Sequence, residues 1–250
     1  MKLSLKFKIL LVGLVLSGVL VTFFSLKRQK TTTLDLTECF TSNNEVREII
    51  LPDKTTVYLN SGSVLLYPKE FTSRSREVFL SGEACFIIKS EKNQRPFLVN
   101  TEKLDVSSSA TSFLITAYPN NEEVMTTLVD GNLNLFFQNS NKAVSQHEIN
   151  SRIDYDTIGN RTRKTNIESR KVFLFKEGYL VFQSVSFDYM MKTMERHFNR
   201  IFNYDAGKYA GRYFSVTFFP NVDVMEALSV LNTMIADFTY SIKDDIIYIN

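Results

Sequence analysis

The sequence predicts three parts in order: one N-terminal transmembrane helix, an all-β domain built as a sandwich or a β-helix-like stack, and a small α/β domain of two strand–helix–strand units. Three observations predict this. No residue between Lys8 and Lys27 is charged. From Val46 to about Gln146 the apolar residues recur with a period near two, broken by turn residues. Beyond Gly178 the period becomes 3.6, and that pattern occurs twice. Composition agrees with a folded chain, 44% hydrophobic and 22% charged, and 21 Phe with 11 Tyr favour strands.

Residues 9–26 form an uncharged 18-residue run dominated by Leu, Val, Phe and Gly. About 20 apolar residues cross a bilayer core, so the run is just long enough. It ends Thr22-Phe23-Phe24-Ser25-Leu26, bulky where a signal peptidase needs small side chains, and so reads as an uncleaved anchor. Lysines 2, 6 and 8 face Lys27, Arg28 and Lys30 across it, almost a tie in positive charge. With residues 1–8 as a cytoplasmic flank, residues 31–250 lie outside the membrane. Residues 27–45 are polar at Thr31-Thr32-Thr33 and Ser42-Asn43-Asn44 and read as a tether.

The all-β domain is expected over 46–175. Short strands are predicted at 46–51, 56–60, 77–80, 84–89, 97–100, 104–108, 112–118, 124–129 and 133–137. Turns fall at Pro52-Asp53-Lys54, Ser61-Gly62-Ser63, Pro119-Asn120-Asn121 and Asp130-Gly131-Asn132. Residues 149–156 and 161–167 read as a hairpin around Gly159-Asn160. The α/β domain is expected over 176–250. Phe187, Met190, Met191, Met194, Phe198 and Ile201 share one helical face, ahead of a strand at 202–204. Asp223, Met225, Leu228 and Leu231 open a second helix leading to strands at 238–240 and 246–249. Asp188 to Asp223 is 35 residues and Phe202 to Phe238 is 36, so the unit repeats. Both aspartates sit where a cap or first-turn acid belongs.

Composition also removes function classes. With Lys plus Arg at 29 and Asp plus Glu at 27, the formal charge is +2, and no nucleic-acid partner is expected. The two Cys and two His are scattered without the ligand spacing of a zinc site, and nothing implies a cofactor. Glu83 follows a turn glycine without a partner carboxylate and reads as structural. His197 falls at the edge of the helical stripe, and His147 lies in a polar stretch without ligand spacing. Arg161-Thr162-Arg163-Lys164 reads as a solvated hairpin end. Cys39 in the tether and Cys85 in a strand are poorly placed for a disulfide. With no acid, base and nucleophile set in view, no catalysis is expected.

Five segments resemble a known family. Leu51-Pro52-Asp53-Lys54-Thr55-Thr56-Val57-Tyr58-Leu59-Asn60-Ser61-Gly62-Ser63 resembles the LPDGTxVxLNxxS opening of the FecR domain. Arg76-Glu77-Val78-Phe79-Leu80-Ser81-Gly82-Glu83-Ala84-Cys85-Phe86 resembles its RxVxLxGEAYF signature. Pro96-Phe97-Leu98-Val99-Asn100-Thr101 and Thr126-Thr127-Leu128-Val129-Asp130-Gly131 follow its later motifs in order. Phe175-Lys176-Glu177-Gly178-Tyr179-Leu180-Val181-Phe182 resembles the WxxGxLxF step into the C-terminal domain of Bacteroidetes members, a domain similar to the secretin and TonB short N-terminal module. The resemblance implies an anti-sigma factor of cell-surface signalling, single-pass in the inner membrane. Its periplasmic part would bind the signalling domain of a TonB-dependent outer-membrane receptor. Its cytosolic partner would be an extracytoplasmic-function sigma factor, reached indirectly here because only Met1 to Lys8 precede the span. Ala110-Thr111 stands where some relatives carry the Gly-Thr pair at which they split, so self-cleavage is not expected. An envelope structural or assembly module, docking through the secretin-like domain, is the alternative reading.

Binding is expected on the strand at 213–219, apolar, β-prone and ended by Pro220. Alternation sends Phe214, Val216 and Phe218 to the core and leaves Tyr213, Ser215, Thr217 and Phe219 as partner-binding candidates.

Overall fold

The computed structural model describes residues 35–108, 112–138, 143–146 and 148–250. The predicted span at 9–26, the tether up to residue 34, Ala110-Thr111 and His147 lie outside them. Among the described residues no helix is long and apolar enough to cross a membrane.

The protein is mostly β, with few helices. Four strands lead in: β1 (Leu36–Phe40), β2 (Arg47–Ile50), β3 (Thr56–Leu59) and β4 (Val64–Pro68). β1 corrects the reading of 27–45 as tether throughout. It pairs antiparallel with β4, from Leu36 opposite Pro68 to Phe40 opposite Val64. Flanking polar residues hide it in the sequence, and β4 escaped notice because Val64-Leu65-Leu66-Tyr67 does not alternate.

The strands expected at 77–80 and 84–89 are one strand, β5 (Arg76–Ile87). Gly82 bends it at φ +120°, where a Cβ would stand 2.3 Å from the Ser63 hydroxyl, so only glycine fits. Ahead of the bend β5 lies between β4 and β6 (Phe97–Asn100); beyond it, between β3 and β8 (Ser112–Ala117), past β7 (Leu104–Ser108). Then come β9 (Glu123–Asp130), β10 (Leu133–Phe137), β11 (Ala143–Gln146) and the hairpin β12 (Ser151–Asp156) to β13 (Arg161–Asn166). Among the described residues these make one 13-stranded sheet in which β5 joins two halves. One half continues through β6, β7, β10 and β11, the other through β8, β9, β12 and β13. The expected sandwich or β-helix-like stack is thus a single sheet curled on itself. Its inside is packed by Val57, Leu59, Phe86, Phe97 and Phe113, with Phe86 and Phe113 stacked at 5.2 Å.

Two motif residues serve this core. Arg76 is fully buried, and its guanidinium donates to Asp53 at 2.9 Å, to the Lys89 carbonyl at 2.8 Å and to the Arg95 carbonyl at 2.9 Å. A buried pair is tolerable when its remaining donors are satisfied in this way.

A 3-10 turn, Ser169–Glu177, closes at Gly178 and leads to β14 (Leu180–Ser186). The predicted repeat follows: β14, α1 (Phe187–Phe198) and β15 (Ile201–Asn203), then β16 (Tyr213–Phe218), α2 (Val224–Met234) and β17 (Tyr240–Lys243), closed by β18 (Ile246–Ile249). The Ser186 hydroxyl caps α1 with Asp188 in the first turn, and Asp223 caps α2 by accepting from the Glu226 N–H at 2.8 Å. The domain forms two small sheets. β14 pairs antiparallel with β16, and β15, β18 and β17 make the second. The reason is in the repeat: the two leading strands pair with each other, and the two trailing strands pair through β18. The methionines of α1 are fully buried, and Phe187 stacks on Tyr209 at 3.9 Å in a second core distinct from the first.

Candidate functional site

The four predicted partner residues reach the surface. Phe214 and Phe218 are buried, while Tyr213, Ser215, Thr217 and Phe219 are exposed, Phe219 by 73%. Among the described residues β16 pairs with β14 alone, so its other edge is unpaired. Exposed backbone donors and acceptors on such an edge are a template for an added strand. A shallow groove of about 560 Å³ lies over the β14–β16 pair, on the β14 side, walled by Ile167, Lys171, Phe182, Gln183, Ser215 and Thr217.

The β13 hairpin shapes one end of this edge. The Arg163 guanidinium lies 3.7 Å over the Tyr213 ring and donates to Asp154 at 2.8 Å. Arg163 is therefore a bridging residue, which corrects the reading of 161–164 as a solvated end at that one position; Arg161, Thr162 and Lys164 are exposed as read, Arg161 by 81%. Asp154 explains the difference, since it is buried on β12 and needs cationic partners. At the other end the Phe219 ring sits 5.8 Å from Tyr179.

β14 breaks register between Phe182 and Val185, with Ser184 at φ +51°. The bulge turns the Gln183 and Ser184 carbonyls toward β12, where Arg152 donates to them at 2.7 and 2.8 Å while also pairing with Asp154. The Ser184 N–H donates instead to the Ser215 hydroxyl at 2.8 Å. One predicted partner residue is thus tied to the joint between the two cores.

Glu83 lies at the heart of that joint, beside a cleft of about 310 Å³ between the sheet, the 3-10 turn and α1. Its carboxylate accepts from Asn60, from the Thr116 hydroxyl at 2.7 Å and from the Tyr189 phenol at 3.3 Å. The first two partners come from the sheet and the third from α1. Burial, reinforced by the Glu83 charge, pushes the Tyr118 and Tyr189 phenols far up, so both remain neutral donors. Tyr118 donates to the Ser61 carbonyl at 2.7 Å, and its ring carries the Arg196 guanidinium at 3.7 Å. Glu83 is structural, as the sequence suggested, and its bonds leave it as a clamp between halves. His197 is half-buried at the rim of the cleft, where burial alone holds it below the usual histidine range. Cys39 on β1 and Cys85 on β5 are both free, and burial pushes the Cys85 thiol well above its ordinary value. No group of His, Cys, Asp and Glu fit to hold a metal occurs among the described residues.

Sequence reasoning missed Arg152, Tyr118 and Tyr189. Arg152 gave no signal, since it falls in phase with Asp154 and Asp156 on the polar side of the 149–156 alternation.

The FecR protein family model matches residues 37–134 and the FecR C-terminal model residues 179–249, together more than half of the chain. Two crystal structures of a candidate anti-sigma factor from Parabacteroides distasonis ATCC 8503, at 1.65 and 2.50 Å, are similar to it along their length. Their TM-scores are 0.78 and 0.77, at 26% identity over 86% of this chain and 98% of theirs. A search of curated proteins finds no match. The two family regions fall in chain order on the curled sheet and on the paired strand–helix units, and with the full-length structural likeness they mean that this chain belongs to the FecR family of anti-sigma factors.

Proposed function

We propose that this regulator is anchored in the inner membrane by residues 9–26, with residues 31–250 in the periplasm, and that it relays the state of a TonB-dependent outer-membrane receptor. The receptor's signalling domain adds a strand along β16, and the bound state passes through the joint to the anchor and indirectly to an extracytoplasmic-function sigma factor. The role is binding, without a catalytic step. One observation supports the reading above others: β16 has an unpaired edge, and its exposed Tyr213, Ser215 and Thr217 are continued by exposed Phe219 just beyond its end. Phe219 is the aromatic anchor of the contact.

The test is calorimetric titration of the cognate receptor signalling domain into the detergent-solubilised full chain. Phe219→Asp is expected to weaken binding at least about tenfold, roughly 1.4 kcal/mol, with circular dichroism unchanged. Unaltered affinity in a folded variant would remove β16 from the interface.

A further inference from the structure

We infer that the partner segment that pairs along β16 carries a lysine or arginine side chain, and that an acidic cleft beginning at Tyr213 receives it. The identity of the donor rests on the reading of β16 as a docking edge; the cleft's preference for a cation does not.

The cleft holds about 250 Å³ between the sheet and the start of α1. Four carboxylates line it, those of Glu122, Glu123, Asp156 and Asp188, and no lysine or arginine does. The nearby cations have other duties. Lys192 pairs with Asp188 at 2.8 Å and donates to the Asn120 carbonyl, Arg161 reaches Asp156 from solvent, and Arg163 serves Asp154 and Tyr213.

Charge alone would not define a site, but a second observation does. Asn121 is 3% exposed, lines the cleft, and has no hydrogen-bond partner for either side-chain atom. The buried Oε2 of Glu123 is likewise unpartnered. Buried polar atoms in this state call for a ligand that supplies the missing bonds. Burial also pushes the Glu123 carboxyl up, and Asp154 adds to the effect while Arg163 and Arg152 oppose it.

The chemistry selects an organic cation over a metal ion. Asp156 already accepts from the Ile158 and Gly159 N–H groups, and Asp188 from the Tyr204 phenol, so too few free oxygens converge for a metal. An ammonium or guanidinium brings directed donors for Asn121 Oδ1 and Glu123 Oε2, and its aliphatic stem suits the Tyr209 and Tyr213 rings. The Asn121 amide N–H groups are left to meet a carbonyl, which a peptide has beside such a side chain and a free amine lacks.

The probe is N-acetyl-lysine methylamide, titrated into the full chain in detergent and read by the nuclear magnetic resonance shifts of the Asn121 side-chain amide and the Tyr213 ring. Saturable shifts are expected, with none from N-acetyl-norleucine methylamide. Glu123→Gln is expected to weaken the lysine probe about fivefold or more. Should Glu123→Gln fold poorly, Glu122→Lys, at an exposed position, must have the same effect. Shifts equal for lysine and norleucine, or shifts from calcium chloride but not from the lysine probe, would overturn the cation site. A bound lysine probe with a receptor domain that ignores Phe219→Asp would keep the cleft and discard the β16 reading.

Discussion

Glu83 and His197 show what a single residue reveals in sequence and what it hides. Glu83 belongs to a recognisable signature, yet its three side-chain partners, Asn60, Thr116 and Tyr189, all come from beyond that motif's strand. Its structural character was legible from the missing partner carboxylate; its clamp role was not, because Tyr189 lies 106 residues away. His197 was placed by helical spacing at the edge of α1, where it sits. Its burial has a pH consequence. The folded-state pKa is depressed below the ordinary 6.5, so the unfolded chain binds the proton more readily. The stability tied to the neutral ring is therefore present above pH 6.5 and is lost as pH falls through the folded value. His197→Gln is expected to flatten this part of the acid decline, measured as the difference between the two proteins' urea midpoints on acidification below neutrality. Parallel midpoint curves would show that the imidazole titrates alike in both states.

At the scale of elements, β5 decides the fold. It runs unbroken through Gly82 because the glycine bends the strand without ending it, and the expected break at Ser81-Gly82 mistook a bend for a turn. Gly82→Ala forces a Cβ onto Ser63 and strains a backbone at φ +120°. A loss of about 2–4 kcal/mol is expected in urea unfolding, and Ser63→Ala in the same chain should recover little of it, because the Ser63 Cβ and Cα remain at 2.5 and 2.7 Å from the added carbon. A neutral Gly82→Ala would mean that the two halves of β5 tolerate separation. Strands with clean alternation, such as β6, β7 and β10, were legible to the residue. β1 and β4 were not, because β1 half-buries only Thr37 and Cys39 and β4 lacks alternation. The α1 and α2 repeat was visible because helix period and caps agree, whereas the split into two sheets depends on pairing that period cannot show.

Across the whole molecule, two apolar cores meet through polar contacts. Arg152 is central, since it holds two carbonyls of the β14 bulge and one buried carboxylate. Arg152→Met leaves Asp154 short of charge and the carbonyls unpaired, a loss of about 3–5 kcal/mol by analogy with other broken buried pairs. Calorimetry is expected to show one transition for the parent chain and two for the variant. A single transition in Arg152→Met would mean that the cores are coupled elsewhere. The candidate docking strand was legible because one strand's face could be read from alternation. The acidic cleft was not, because its lining comes from the loop at 121, the ends of β9 and β12, the start of α1 and Tyr213.

The placement of β1 has a mechanical consequence. As the first strand of the described chain, it is held on one side by β4 alone, with Leu36 and Pro68 as the outermost pair. A pull away from the sheet on the chain ahead of Leu36 loads that pair first, and the ladder then opens one rung at a time toward Phe40 and Val64. Peeling needs far less force than shearing all rungs together. β1 would thus yield under tension before the sheet behind it, uncovering Cys39 and the β4 edge while the rest stays folded.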